Sequence, residues 1–362
     1  MSWHGDMLKA GIASNGNDIN VFGGNIAANN FPSMAHKTLY VDSNNGLDTY
    51  SGNSLSSAKA TIQAAVTIAN SSKYATQNVD IFVLGGIYTE VVNFSRTGTE
   101  LGDAVMLWQS GGTNIGLIGT IRVIAVGTVF LTGLATSVFP TISIGRPNVE
   151  IHNFATIKMI SDEDISEPWT AQSGSTVNHV GMPAVFVEDN YNYNHDGVGG
   201  GTLLYGAGNN VLINNCRING GGKTNGGAVC NYGSKWIHVK NCLMEYGNAY
   251  GFASVGSQKG TCAECLTEGC TFQQNTDCDL MHGNNVIHWV RGCNFPSLTV
   301  TAYLVKNGPG GASILCAISD CSIAQDTLAE MVSAGNAGWA ASGIRTGGVA
   351  GSCIIGNEDL AA

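Results

Sequence analysis

The sequence predicts an all-β solenoid, a parallel β-helix of short stacked coils, on three observations. The first is a recurring phrase: VLINNCRI, IHVKNCLM, CLTEGCTF, HWVRGCNF and CAISDCSI share one pattern, each built around Cys216, Cys242, Cys270, Cys293 or Cys321. These cysteines lie 26, 28, 23 and 28 residues apart, a period that belongs to repeat architectures. The second is the spacing inside the phrase. Five residues before each cysteine stand Val211, Ile237, Cys265, His288 and Cys316, and three before stand Ile213, Val239, Thr267, Val290 and Ile318. Two after it come Ile218, Met244, Phe272, Phe295 and Ile323. Steps of two are strand alternation, and the step of three fits a bend between two short strands. The third is composition. Glycine, 49 of 362 residues, is roughly twice the ordinary ~7%, and charged residues are 12% where ~25% is usual. Glycine and asparagine accept the left-handed backbone that tight corners demand.

The same composition excludes several functions. A net charge of -10 with only 16 Lys and Arg, none in a run, argues against a nucleic-acid surface. The most apolar stretch, Val123 to Phe139, is short for a membrane span and reads as two buried strands of neighbouring coils. MSWHGDMLKAG has no apolar h-region, so no secretory signal is expected. Eleven cysteines, five at one repeat position, fit an interior ladder of free thiols and folding in a reducing cytoplasm.

Taken in order, residues 1–36 (with GNDINVFGGNIAANN) show little periodicity and read as a disordered lead or as an arm that orders on a partner. The β-helix is expected over 37–362. Ile62, Ala65, Val66 and Ala69 recur at helical spacing, so a short helix there would present one apolar face. Further coils fall at 114–125, 128–133, 141–144, 148–160 and 183–190, with Phe154 standing where the cysteine later stands. Cys353 is expected to mark one last, degenerate coil. Residues 161–203 break the rhythm with polar, acidic and aromatic residues, and read as a lateral loop excursion.

Three segments carry a resemblance: TLYVDSNNGLDTYSGNS (38–54), TIQAAVTIA (61–69) and VDIFVLGGIYTEVV (79–92). They are similar to the opening of the pectin-lyase-like family of right-handed, single-stranded parallel β-helices. The resemblance implies an extended strand, a helix that covers the open apolar end, and then the first coil. Such a cap is physically required, because a terminal coil otherwise exposes its core and strand edge.

Candidate chemistry is sparse. Asn275-Thr276-Asp277, Asp279 and His282-Gly283 resemble part of the polygalacturonase pattern, which implies Asp277, Asp279 and His282 as candidate catalytic residues. Period two would place both aspartates on one outward face, as a carboxyl pair for glycoside hydrolysis requires. The pattern is incomplete: no adjacent aspartate pair occurs, and Arg291 is followed by Gly292 and Cys293 instead of Ile-Lys. Cys262, Cys265, Cys270, Cys278 and His282 lack the second short-spaced pair of a structural zinc site, and Cys265 and Cys270 are accounted for by the repeat. No metal and no cofactor is therefore expected. Asp162, Glu163, Asp164 and Glu167 read as a solvated loop. Within the excursion, Trp169, Tyr191, Tyr193, His195 and Asp196 are the candidate ligand-binding residues, because aromatic faces cover sugar rings while carboxylates bond hydroxyls. Glu188, Asp189 and Glu245 are isolated acids without a motif.

A β-helix of this family with free thiols and an incomplete catalytic set looks most like a bacteriophage virion protein. The resemblance implies a tailspike, fibre or head-decorating spike, commonly a homotrimer, folded in the host cytoplasm. It would attach to other virion proteins through the N-terminal arm and present a surface to host glycan. Two alternatives stay open: a glycoside hydrolase or polysaccharide lyase on the same scaffold, and a structural decoration protein without ligand.

Overall fold

The computed structural model describes residues 36–94, 119–160, 183–188, 210–255, 263–296, 303–307 and 315–323. Short breaks fall at 72, 75–76, 136–139, 223–225 and 284–285, and five further strands are described as backbone. The chain is a parallel β-helix whose coils have three faces. The first face runs from Lys37–Val41 through the leading halves of Val79–Thr89 and Ile121–Thr132 to Val149–His152, Val211–Asn214, Ile237–Lys240, Ala263–Glu268, Val286–Arg291 and Leu315–Ser319. The second continues in Thr156–Lys158, Arg217–Asn219, Leu243–Glu245, Thr271–Gln273, Asn294–Phe295 and Ser322–Ile323. The third holds seven strands, from Val92–Asn93 to Cys278–His282 and Tyr303–Asn307. Coil-to-coil pairing is parallel throughout, as in Val211↔Ile237, Ile237↔Cys265, Cys265↔His288 and His288↔Cys316.

The repeated phrase explains its own corner. The residue before each cysteine, or before Phe154, is Asn153, Asn215, Asn241, Gly269, Gly292 or Asp320, all with φ between 52° and 66°. That conformation favours Gly, Asn and Asp, the types the sequence supplies there. The thiol then turns inward. Cys216, Cys242, Cys270, Cys293 and Cys321 are buried and free, as the repeat predicts. Each Sγ lies 3.2–3.5 Å from the carbonyl two residues earlier, where the thiol donates across the corner. The amides of Cys216, Cys242 and Cys293 donate to the sulfur of the next coil. The ladder thus occupies backbone groups that the corner takes out of the sheet. Burial pushes the Cys216 and Cys270 thiols well above their ordinary range, so they stay protonated.

Side chains two residues on form the next interior stack, Ile157↔Ile218↔Met244↔Phe272, and the Phe272 and Phe295 rings stack at 4.8 Å. At the N-terminal end the expected helix is present as Ile62–Ala69, with Ile62, Ala65, Val66 and Ala69 buried. Thr61 Oγ1 accepts from the Ala64 amide, and the Glu90 carboxylate accepts from the Ile62 and Gln63 amides. These bonds hold the first turn of a helix too short to persist alone.

Two expectations about the ends change. Cys353 does not mark a further coil: Cys353–Asn357 pairs antiparallel with Leu315–Ser319, and Trp339–Ser342 pairs antiparallel with it. An antiparallel pair of strands, and not another parallel coil, therefore follows Leu315–Ser319 on this face. Within residues 1–36, Ala13–Ser14, Asp18–Val21 and Gly24–Ala27 form a separate three-stranded antiparallel sheet, an order the sequence reading did not anticipate. The excursion at 161–203, apart from Pro183–Glu188, lies outside the described residues.

Candidate functional site

The three faces differ in what they offer a ligand. The third is buried on both sides. Val229, Phe252 and Leu280 belong to the main core, while Phe186, Cys230, Tyr250, Ala253, Cys278 and Met281 make a second buried cluster. Strand Cys278–His282 is consequently buried at every residue. This corrects the expected outward pair. Asp277 precedes the strand, reaches solvent and forms an ion pair with Lys306 at 2.5 Å. Asp279 is 0% exposed, its Oδ1 accepting from Asn275 Nδ2 at 2.8 Å and its Oδ2 without a hydrogen-bond partner. Asn275 is itself fixed, accepting from the Gly247 amide at 3.0 Å. His282 is also 0% exposed. The two aspartates do not share an outward face, because period two fails where the chain turns the corner into the strand.

Burial sets the protonation of these groups. It pushes the Asp279 carboxyl up to about 7, against the smaller lowering by the Asn275 bond. It lowers His282 to about 3, and it lowers His288 well below the ordinary range, where His282 adds to the effect. His288 is neutral, bonded through Nδ1 to His282 Nε2 at 2.8 Å and through Nε2 to Thr267 Oγ1 at 2.7 Å. Sequence reasoning placed His288, Thr267 and Cys316 at core positions of the repeat, and the structure keeps them there. It did not see that they gather with His282 into one polar cluster. The available signal was that Val and Ile at those positions in earlier coils give way to Cys, Thr and His.

Glu245, an isolated acid in the sequence, is fully buried on the second face. Arg217 Nε lies 2.5 Å from its Oε1, and Asn219 and Gln273 donate to the same carboxylate. That set satisfies the charge and reads as a structural clamp across three coils.

The first face is the open one. Trp236 is 66% exposed with φ 56°, and Trp289 is 44% exposed. Trp236 occupies the corner that Asn148 and Asn210 occupy in the two preceding coils, at φ 58° and 57°, where the Asn210 amide donates to Asn148 at 2.8 Å. A bulky aromatic in the left-handed region is a genuine outlier. From the register, Trp289 stands two strands and two residues away, roughly 10 Å across and roughly 7 Å along. Glu264, Leu266 and Ile287 fill the ground between, all partly exposed. Lys235 lies 3.7 Å from Glu264, and Lys240 lies 3.1 Å from Glu268 and holds that carboxyl below its ordinary range. Two indoles thus flank a strip that carries the Glu264 carboxylate, with Lys235 beside it and the Lys240–Glu268 pair beyond Trp289. The sequence signal for Trp289 was period two, which sends it outward between inward His288 and Val290. Trp236 carried no signal until its corner was visible.

The candidate ligand-binding residues Trp169, Tyr191, Tyr193, His195 and Asp196, with Cys262 and Asp189, lie outside the described residues. No helix among the described residues is long and apolar enough to cross a membrane. No protein-family model and no curated protein matches the sequence. Among solved structures the chain is similar to a pectin methylesterase from Yersinia enterocolitica, with 10% identity and a TM-score of 0.39 over 81% of this chain and 85% of that one.

Proposed function

We propose that this protein is a non-catalytic glycan-binding β-helix, carried as a spike, fibre or decoration protein on a bacteriophage particle. The observation that supports glycan binding is Trp236. A strained, exposed indole stands where its corner favours asparagine, and a second indole lies across the strip that carries Glu264. Strain of this kind is kept where function needs it, and indole faces with flanking carboxylates suit sugar rings and hydroxyls. Asp279 and His282 are used inside the fold, which removes two of three hydrolase-like candidates from solvent. The reduced thiol ladder fits folding in a reducing cytoplasm. The excursion bearing Trp169, Tyr191, Tyr193, His195 and Asp196 is proposed to extend the same binding surface. Homotrimer formation and attachment through residues 1–36 belong to this proposal.

The test uses Trp236→Asn together with Trp289→Ala. Asparagine restores the corner residue of the preceding coils, so the double variant keeps the fold, and relief of left-handed strain raises stability by about 1 kcal/mol. Glycan-array binding by the natural chain that disappears in this variant is the expected result. Binding that survives unchanged overturns the placement. Release of reducing ends from a bound polysaccharide, lost in Asp277→Asn, overturns the non-catalytic reading. Absence of the chain from purified particles overturns the virion assignment.

A further inference from the structure

We propose that His282, His288 and Cys316 form a buried site for one cuprous ion. Their ligand atoms lie within 4.8 Å of one another, and all three residues are 0% exposed. They come from three strands: His288 and Cys316 are register partners on the first face, and His282 joins them from the third-face strand that immediately precedes that of His288. The set is two imidazoles and one thiol, a donor combination that suits copper and zinc.

Two further features favour a ligand role over a satisfied polar core. The first is the outer support. His288 Nε2 lies 2.7 Å from Thr267 Oγ1 and its Nδ1 lies 2.8 Å from His282 Nε2; with the ring proton on Nε2, donated to Thr267, the Nδ1 lone pair faces His282 and the cluster. A metal-binding histidine characteristically has its second nitrogen tied in this way. The second is charge. The group contains no carboxylate. One thiolate therefore balances one monovalent ion, whereas Zn2+ would leave a net positive charge in a dry interior, at high cost. Three donors also complete the coordination of Cu+, and zinc in a closed site takes four.

Loading balances simply. Cys316 S–H loses its proton to solvent as the S–Cu bond forms. The proton between the rings moves to His282 Nδ1, freeing Nε2, and the ring nitrogens separate from 2.8 Å by about half an ångström to accept bonds of ~2.0 Å. No electron is transferred. Because the cluster is closed on all sides, the ion enters before the coils finish stacking and then holds the first face to the third.

The experiment is anaerobic refolding of the full chain with Cu+, followed by competition with bathocuproine disulfonate and X-ray absorption at the copper edge. A single tightly held Cu+ with a shell of two nitrogens and one sulfur is expected. Cys316→Ser removes that site, and Thr267→Val weakens it about 10- to 100-fold while the shell keeps its atoms. Cys242→Ala, in the thiol ladder, leaves it unchanged. Far-UV circular dichroism confirms that each variant is folded. Should Cys316→Ser fail to fold, the natural chain still decides. A sulfur-only shell, failure to retain Cu+, or retention of Zn2+ in preference to Cu+ overturns the proposal.

Discussion

Asp279→Asn should stabilise this protein at pH 8 and leave it nearly unchanged at pH 3.5. The Asp279 carboxyl is buried with one hydrogen bond, and burial raises it from 3.8 to about 7. A raised acid binds its proton more tightly in the folded chain than in the unfolded one. Its contribution is fully present below 3.8 and is lost as pH rises through about 7. A shift of about three units corresponds to roughly 4 kcal/mol between those limits. Asparagine keeps the Oδ1 acceptor for Asn275 and carries no charge at any pH, so the variant escapes the loss.

Urea unfolding of both chains at a series of pH values measures this as a difference. The comparison matters because the buried histidines act in the opposite sense. His282 falls from 6.5 to about 3 in the fold, so its contribution is present above 6.5 and lost as pH falls toward 3. In the natural chain the two slopes oppose each other between about 4 and 6.5, whereas subtracting one chain from the other cancels the histidines. The expected stability difference rises by up to ~1.4 kcal/mol per pH unit over that range. A difference that stays flat with pH, or an Asn variant less stable at pH 8, would refute the account of Asp279 as a neutral buried acid.

Other expectations follow from the same interior. Phe272→Ala, which removes a fully buried ring stacked on Phe295, should cost about 3–5 kcal/mol in denaturant unfolding. Cys270→Asp should abolish folding or cost several kcal/mol, since the buried ladder offers a new carboxylate no cation, read as loss of the cooperative transition. Glu90→Ala removes the acceptor of two helix amides and should lower stability by about 1–2 kcal/mol, with earlier proteolysis near the N-terminal cap. His282→Gln should move the acid-unfolding midpoint to lower pH, because one neutral buried imidazole no longer has to be protonated.

The scaffold was legible because solenoid geometry writes itself into the chain at short range. Each coil needs a left-handed residue at the corner, so Asn, Gly or Asp recurs before the cysteine, and the inward positions of that phrase follow by counting twos and threes. The helix at 62–69 was legible for the same reason. What the sequence did not convey were contacts between faces. His282 meets His288 six residues on, around the corner between a third-face strand and the first-face strand of the next coil, and the spacing read from the repeated phrase does not extend across that corner. The aspartates misled because period two holds only within a strand, and Asp277 lies outside Cys278–His282. Cys353 misled because a degenerate phrase reads the same whether its strand runs parallel or antiparallel.

The departures from the repeat concentrate in one stretch, and that concentration is itself informative. From Val149 to Val239 the paired inward residues of the first face are Val and Ile. Over the next three coils four of the six positions become Cys265, Thr267, His288 and Cys316, all buried, while Val290 and Ile318 stay aliphatic, and Asp279 joins them on the third face. The outward corner at the start of this stretch changes from asparagine to Trp236. An interior selected for stability alone would have stayed aliphatic, because satisfied polar groups in a core gain little over apolar ones and a neutralised acid costs several kcal/mol at neutral pH. Local rules broken close together, inside and outside neighbouring coils, are the pattern expected where function competes with folding. On that argument residues 236–316 are the part of the solenoid that does something other than stack.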